Sequence, residues 1–399
     1  MTTTINNEHK KLNVPNLRFK EFEGEWEEST IGEMFDLYSG NTPSRLNKEH
    51  FKGFINWISS GELKEHYIYS SKEQISEEAA KNLKLLPAGT FIIAIYGLEA
   101  EGVRGTGSIT KEPSTISQAC MAFNPKGNVE NEFLYSWYKK HGNVIGIRYA
   151  QGTKQQNLSY DILEKFKIAY PNAEEQEKLN KFISLLDERI ATQNKIIEDL
   201  KKLKSAIIEI EYTPNTKTTS HIGNVIEQIS KRNKNNAIQN VLSVSNRQGF
   251  IKQSDQFENR NVASEDTSNY KIVEKNDFAF NPARINVGSI ARLTTFEKGI
   301  VSPMYICFRT QENVALEYID FFFESKHFYC EIQKRLEGSV RQCLSFEGLC
   351  NIPFSLPSLE MQQRIGKRLF TLGQKIKTET DLLELLNKQK QYLLRQMFI

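Results

Sequence analysis

Gly152-Thr153-Lys154-Gln155-Gln156-Asn157-Leu158-Ser159 returns further along the chain as Gly338-Ser339-Val340-Arg341-Gln342-Cys343-Leu344-Ser345, 186 residues later. The same offset carries Pro171 onto Pro357 and Gln176 onto Gln362, and it continues without a gap through the heptad-patterned stretch that follows each polar loop. A stretch that repeats at one fixed spacing is the mark of a tandem duplication. Each copy therefore reads as a globular domain followed by a long helix.

Placed over one another at that offset, the two helices show one apolar seam whose steps alternate four and three. In the first copy it runs Leu179, Ile183, Leu186, Ile190, Gln193, Ile197, Leu200, Lys204, Ile207. In the second it runs Ile365, Leu369, Leu372, Ile376, Glu379, Leu383, Leu386, Lys390, Leu393. The polar interruptions coincide, Gln193 with Glu379 and Lys204 with Lys390. A buried polar side chain in a heptad seam costs stability and fixes register, which argues for one specified pairing of the two helices with each other.

Connectivity supplies the direction. The first helix leaves domain one and delivers the chain to domain two, so if the ends of domain two lie together the pair is antiparallel. A run of about 37 residues at 1.5 Å rise makes a rod of roughly 55 Å, expected to separate two domains related by a pseudo-twofold axis. Such symmetry suits two half-sites on duplex DNA. The expected fold class is α+β, two tandemly duplicated domains separated by a pair of long antiparallel coiled-coil helices. The expected segments are a disordered tail at 1–14, domain one at 15–170, a first spacer helix at 171–212, a linker at 213–220, domain two at 221–356 and a second spacer helix at 357–399.

Length and composition agree with two domains large enough to bury their own cores. Lys and Arg total 52 against 49 Asp and Glu, a net charge of +3, so any nucleic-acid surface must come from local placement of charge. The five cysteines, Cys120, Cys307, Cys330, Cys343 and Cys350, include no CxxC pair, which fits a reducing cytoplasm and no zinc ribbon. No stretch approaches the ~20 apolar residues of a membrane span, and Met1 to Val14 lacks the apolar region of a signal peptide.

Within domain one, Thr30-Ile31-Gly32-Glu33 offers a capping-box start for a short helix. Phe91-Ile92-Ile93-Ala94-Ile95-Tyr96 reads as a strand and Gly102 to Gly107 as a loop before another strand at Ser108-Ile109-Thr110. The matching region of domain two is a strand at Asp277-Phe278-Ala279-Phe280, a loop at Asn281 to Gly288 and a strand at Ser289-Ile290-Ala291. Each domain then carries an aromatic helical stretch, Phe133 to Tyr138 and Tyr318 to Phe323, whose spacing favours core packing over base stacking. Thr213 to Ser220 is a polar breaker that ends in a helix cap at Ser220.

Catalytic chemistry has little to stand on. The six histidines, His9, His50, His66, His141, His221 and His327, are scattered without HExxH spacing, and there is no GxSxG elbow and no GxxxxGK[ST] phosphate loop. Gly102-Val103-Arg104-Gly105-Thr106-Gly107 is followed by a strand rather than by a helix start, which makes it a turn or a DNA-approaching loop rather than a nucleotide fingerprint. Asn281-Pro282-Ala283-Arg284 lacks the second proline and the stacking aromatic of an adenine methyltransferase motif. No enzyme activity, metal or cofactor is expected.

The paired polar loops are the interesting feature. Gln and Asn side chains bond adenine N6 and N7 bidentately in the major groove, while Lys and Arg serve guanine or phosphate. Lys154-Gln155-Gln156-Asn157 and Arg341-Gln342 present those groups at the same distance from both long helices.

The pattern resembles the specificity subunit of type I restriction-modification systems over nearly the whole chain. The resemblance rests on Pro171 through Gln176 to Leu179, Pro357 through Gln362 to Ile365, Trp57-Ile58-Ser59-Ser60-Gly61-Glu62 and Asn281 to Gly288. It implies two target-recognition domains that read the halves of a split, asymmetric DNA sequence, with the helices as the ruler for the gap. It also implies chemistry borrowed from partners: two methyltransferase subunits around the helices, and restriction subunits in the full complex. The candidate DNA contacts are Ser60, Glu62, Tyr96, Arg104, Lys154, Gln155, Gln156 and Asn157 in domain one, and Asn246, Arg247, Arg284, Asn286, Arg292, Arg341 and Gln342 in domain two. Domain two departs from domain one by carrying Val340 where Lys154 stands. The rival reading is a coiled-coil scaffold that binds proteins without reading DNA.

Overall fold

A computed structural model describes residues 13–100, 102–213, 219–246, 248–256, 266–338 and 342–399. The chain divides into two compact units, residues 1–194 with 381–399 and residues 195–380. The division cuts each long helix part-way, so each unit owns a segment of both helices.

The long helices span Ala173–Tyr212 and Leu359–Met397. Both begin just after the repeated proline, where a polar side chain meets the first free N–H groups. Asn172 Oδ1 accepts from Glu175 N at 3.0 Å and Ser358 Oγ accepts from Met361 N at 3.4 Å. Every seam position named above is buried or half-buried. In unit 1, Leu179 and Ile183 of the first helix share a core with Leu394, Met397 and Phe398 of the second, and Asp187 pairs with Lys390. In unit 2, Ile207, Ile208 and Tyr212 share a core with Ile365 and Leu369, and Glu211 lies 3.9 Å from Arg368. Within each unit the beginning of one helix therefore lies beside the end of the other, the antiparallel arrangement.

The polar seam positions resolve differently. Gln193 and Glu379 are buried. Lys390 and Lys204 instead reach out of the seam onto equivalent aromatic side chains, Lys390 over Tyr135 at 5.7 Å and Lys204 over Phe321 at 4.8 Å, and each pairs with a carboxylate, Asp187 and Glu324. Each lysine stands at the far end of its helix from the domain that precedes it, so it contacts the other folded domain.

Unit 1 holds a five-stranded sheet in the order Phe35–Ser39, Cys120–Pro125, Phe91–Ala94, Gly107–Thr110, Tyr67–Ile68, and a three-stranded sheet in the order Glu73–Ile75, Ile55–Ile58, Ser114–Ile116. The helix Asn131–Tyr149 buries Phe133 through Tyr138 against Phe91 and Phe123, which makes these aromatics core. Unit 2 holds two four-stranded sheets, Ile226–Ile229, Ile306–Thr310, Phe278–Phe280, Ile290–Arg292 and Gly249–Lys252, Val241–Ser245, Lys298–Val301, Lys271–Glu274. Its helices Leu316–Phe322 and Lys326–Gln333 bury Tyr318, Ile319, Phe322 and Phe328.

The capping box at Thr30 and Glu33 forms as expected. Ser220 does not cap a helix. Thr219–His221 is instead a strand antiparallel to Pro353–Ser355, the counterpart of Glu27–Thr30 paired with Lys167–Tyr170 in unit 1. Strand pairing satisfies backbone groups that a linker would leave to water. The expected tail lies outside the described residues except for Asn13 and Val14, as does most of the expected linker. Among the described residues no helix is long and apolar enough to cross a membrane, and no cluster of His, Cys, Asp and Glu could hold a metal ion.

Candidate nucleic-acid interface

The repeated glutamines turn out to be buried clamps. Gln176 Nε2 donates to Asn128 O at 2.8 Å and Pro171 O at 2.9 Å, while its Oε1 accepts from Glu130 N at 3.0 Å. Gln362 makes the same three contacts, to Asn313 O, Pro357 O and Ala315 N. An amide carries both donors and an acceptor on one planar group, so one side chain ties the helix start to the loop before the aromatic helix. Leaving those backbone groups unpaired in a buried corner would be costly, which explains why glutamine stands at both positions.

In unit 1 the polar loop follows the other end of the aromatic helix from the clamp. It closes on itself, Gln151 N to Asn157 O at 2.8 Å and Asn157 N to Gln151 O at 2.9 Å. In unit 2 Glu337 and Cys343 exchange the same pair of bonds at 3.0 and 2.8 Å. Gly152 and Gly338 take φ of +115° and +108°, a region open to glycine and strained for other residues. Leu158 and Leu344 anchor the loops in their cores and donate their N–H groups to Ile95 O and Pro282 O, just past the equivalent strands. One backbone device thus presents two different side-chain sets.

In unit 1, Lys154 and Gln155 stand exposed at the loop tip. Gln156 is tied inward: its N donates to Glu99 Oε2 at 2.7 Å, and its Oε1 accepts from Arg104 Nη2 at 3.1 Å, while Asn157 is half-buried beside it. Arg104 is therefore a strut. Its glycine-rich loop is seated on the helix, since a Cβ on Gly105 would lie 2.9 Å from Asn143 N and one on Gly142 2.8 Å from Gly105 Cα. The glycines serve close packing rather than approach to DNA. Tyr96 is 40% exposed and shares a cleft of about 570 Å³ with Gln118, Gln151, Gln155, Asn157 and Tyr160. Among the described residues no charged side chain lines that cleft, and its polar walls offer amides and hydroxyls. Gln118, Gln151 and Tyr160 were not singled out from the sequence. Gln151 is the closing residue of the repeated loop, and that was the available signal, whereas Gln118 has no sequence mark. A larger cleft of about 710 Å³ near Trp137 and Phe166 is walled mainly by apolar groups and holds none of the candidates.

Ser60 and Glu62 belong to a braced turn instead. Glu62 Oε1 accepts from Ser59 N and Ser59 Oγ, and Oε2 accepts from Lys72 N at 2.6 Å. Both carboxylate oxygens are occupied within the loop, so Glu62 is structural there.

In unit 2, three separate stretches meet. Leu344 N bonds Pro282 O, Ser289 Oγ donates to Val244 O at 3.0 Å, and a Cβ on Gly288 would lie 3.9 Å from Asn246 Cβ. Asn246, Arg284 and Gln342 are exposed along that edge and Asn286 is half-exposed. Arg247 and Arg341 lie outside the described residues. Arg292 is removed from the contact set, because its guanidinium is turned inward onto Asp320 at 2.9 Å, Asn276 at 3.0 Å and Glu317 at 3.2 Å. Burial pushes the Asp320 carboxyl up to about 6 even beside that arginine.

Residues 23–202 and again 208–388 match the family described as the type I restriction modification DNA specificity domain. The chain belongs to this family. It is 33% identical over 210 residues to the EcoR124I/EcoR124II specificity subunit of Escherichia coli, covering 51% of this chain and 50% of that one. It is 30% identical over 185 residues to the MjaIX specificity subunit of Methanocaldococcus jannaschii, covering 45% and 42%. These matches span about half the length of either relative. The MjaVIII specificity subunit of the same archaeon aligns at 23% identity over 94% of this chain and 92% of its own. Among solved structures, the S subunit of a type I restriction-modification system from M. genitalium superposes with a TM-score of 0.61 at 16% identity, over 97% of this chain and 99% of that one. A chain from a type I restriction-modification assembly superposes at 0.55 and 15%, over 94% and 97%. These two likenesses show the fold: the duplicated domain-and-helix plan extends over the full length.

Proposed function

We propose that this chain is the DNA sequence-specificity subunit of a type I restriction-modification complex. Each unit reads one half of a bipartite, asymmetric target, and the long helices set the gap and dock two methyltransferase subunits, with restriction subunits joining the full complex. The chain itself carries no catalytic step and works in the cytoplasm. The carrying observation is the paired closed loop: one backbone, closed by the same pair of bonds and tethered by the same leucine, displays Lys154 and Gln155 in one unit and Gln342 in the other. Two readers with one frame and different side chains suit two unlike half-sites, because base edges are told apart by donor and acceptor pattern.

In unit 1 the proposed contacts are Lys154, Gln155, Asn157 and Tyr96, with Gln118 and Gln151 from the shared cleft. In unit 2 they are Asn246, Arg284, Asn286 and Gln342. Mapping of modified adenines by single-molecule sequencing, in cells expressing this chain with its methyltransferase partner and in cells with the partner alone, tests the proposal. A single two-part motif with a fixed gap, present only with this chain, is the expected result. A formed complex that yields no new motif overturns it in favour of a protein-binding scaffold. Insertion of a helical turn between Glu198 and Lys204, with the matching insertion between Glu384 and Lys390, is expected to lengthen the gap; unchanged spacing refutes the ruler.

A further inference from the structure

The best-built polar cluster in unit 1 lies away from the candidate contacts, under the long helices. His66 is buried with its ring between two tyrosines, Tyr67 at 4.0 Å and 12° and Tyr135 at 3.9 Å and 2°. Both ring nitrogens meet carboxylates: Nε2 lies 2.9 Å from Glu132 Oε2 on the aromatic helix, and Nδ1 lies 3.0 Å from Asp187 Oδ2 on the first long helix. Nε2 hydrogen-bonds Glu132, while the Nδ1–Asp187 contact is close but outside hydrogen-bond geometry and acts as an ion pair. A neutral ring would leave one bare nitrogen against a carboxylate, whereas an imidazolium is attracted to both. Asp187 also takes the Lys390 ammonium from the second long helix. One cation thereby joins the recognition sheet, the aromatic helix and both long helices.

We infer that His66 is a positioning residue, held as an imidazolium, whose loss of a proton loosens the first recognition domain from the helix pair and weakens reading of its half-site alone. The last step rests on the DNA-reading function proposed above; the anchoring does not. Unit 2 provides the internal contrast. The position matching Asp187 is Gly373, and the lysine matching Lys390 is Lys204, which pairs with Glu324 at 2.6 Å. Its sheet-to-helix cation is Arg292, a guanidinium where unit 1 has an imidazole.

Burial works against the charged ring, but the attraction of Asp187 and Glu132 outweighs it and raises the His66 pKa above the ordinary histidine value. A base whose folded-state pKa is raised stabilises fully below its unfolded value, and that contribution disappears as pH rises through the folded value. The other groups facing the cluster are Lys390 on Asp187, Lys139 over Tyr135 at 5.1 Å, Lys111 over Tyr67 at 3.6 Å, Glu65, and the two tyrosine hydroxyls. Burial pushes the Lys139 ammonium down to about 8, so its titration falls nearby with the opposite sign, favouring the fold as pH rises.

The test uses the full chain. NMR of ring-labelled histidine, with the His66 signal assigned by its absence in His66→Gln, follows the ring's titration in the wild-type protein. A signal that stays in the imidazolium position above about pH 6.5, the ordinary value, is expected. A neutral ring at that pH overturns the inference whether or not the variant folds well. The melting midpoint of the free chain is then compared between about pH 6.5 and pH 9, in a Lys139→Arg background that removes the competing titration. The midpoint is expected to fall with pH, and the fall to be absent in His66→Gln; equal falls in both overturn it. Finally, in the assembled complex, raised pH should reduce discrimination in the first unit's half-site several-fold more than in the second's. Equal loss in both half-sites, with the ring titrating as expected, overturns the functional coupling while leaving the anchor standing; loss of all sequence discrimination at every pH would count against DNA reading itself.

Discussion

In unit 1 the cation that joins the recognition sheet to the aromatic helix is His66; in unit 2 it is Arg292. The glutamine clamps and the closed loops, by contrast, coincide almost atom for atom. At the clamp the side chain that bonds backbone keeps one identity in the two copies, whereas the side chains at the exposed loop tips differ. Backbone geometry sets the demand at the clamp and admits one solution, an amide, whereas a charge pair can be met by any cation of suitable reach. The duplication thus separates the parts that hold the frame in place from the parts proposed to decide what is read.

The sharpest way to break this contrast is at the clamps. Gln176→Ala and Gln362→Ala each remove three buried hydrogen bonds and are expected to destabilise their own unit by about 3 kcal/mol, nearly equally. Chemical denaturation with one fluorescent reporter per unit would show it, and a large inequality would mean that the two corners are not equivalent. Next comes Arg292→Met, which leaves Asp320 and Glu317 without their cation and is expected to cost about 2 to 3 kcal/mol, somewhat less than a fully buried pair. Asp320 adds a pH signature. A carboxyl whose folded-state pKa is raised favours folding when protonated, so unit 2 should gain stability as pH falls through about 6, and more so in the variant. A pH-independent difference between variant and parent would refute that assignment.

Smaller effects are expected at the loop tips. Gln155→Ala should relax base preference in one half-site by about 1 to 3 kcal/mol while leaving the other intact. Gln156→Ala, which removes an internal bond to Arg104, should instead loosen the loop and weaken binding without changing the preferred base. Binding selection over randomised half-sites distinguishes the two, and an interchange of their effects would reverse the orientation assigned to the loop. Smallest is the cysteine pattern. Burial pushes the thiols of Cys120 and Cys307, on equivalent central strands, up to about 12, so both should resist alkylation in the native protein while exposed Cys330 reacts first. Peptide mapping after brief iodoacetamide treatment checks it; early labelling of either buried thiol would show that its sheet opens.

Much of the architecture was legible in the residues. The 186-residue offset, the matched seams and the proline before each helix are local or periodic signals, and the structure places every seam residue in a buried or half-buried position. Eight candidate contacts, Lys154, Gln155, Asn157, Tyr96, Asn246, Arg284, Asn286 and Gln342, stand on or beside the closed loops and their neighbouring strand ends. Glu62, Arg104 and Arg292 do not act as free side chains, because their partners, Lys72, Gln156 and Asp320, are drawn from elsewhere in the fold. A polar residue in a loop looks the same in sequence whether it faces water or a backbone N–H.

What the residues determined by themselves, then, is the repeat, the helix pairing and the presence of two like domains, since periodicity follows directly from side-chain spacing along a chain. The tertiary structure alone decided which polar groups remain free. The strand order within each sheet and the assembly of His66, Glu132, Asp187 and Lys390 around one ring depend on contacts between residues far apart in the chain. No local pattern encodes such contacts, because they form only when the buried core forces distant segments into one place.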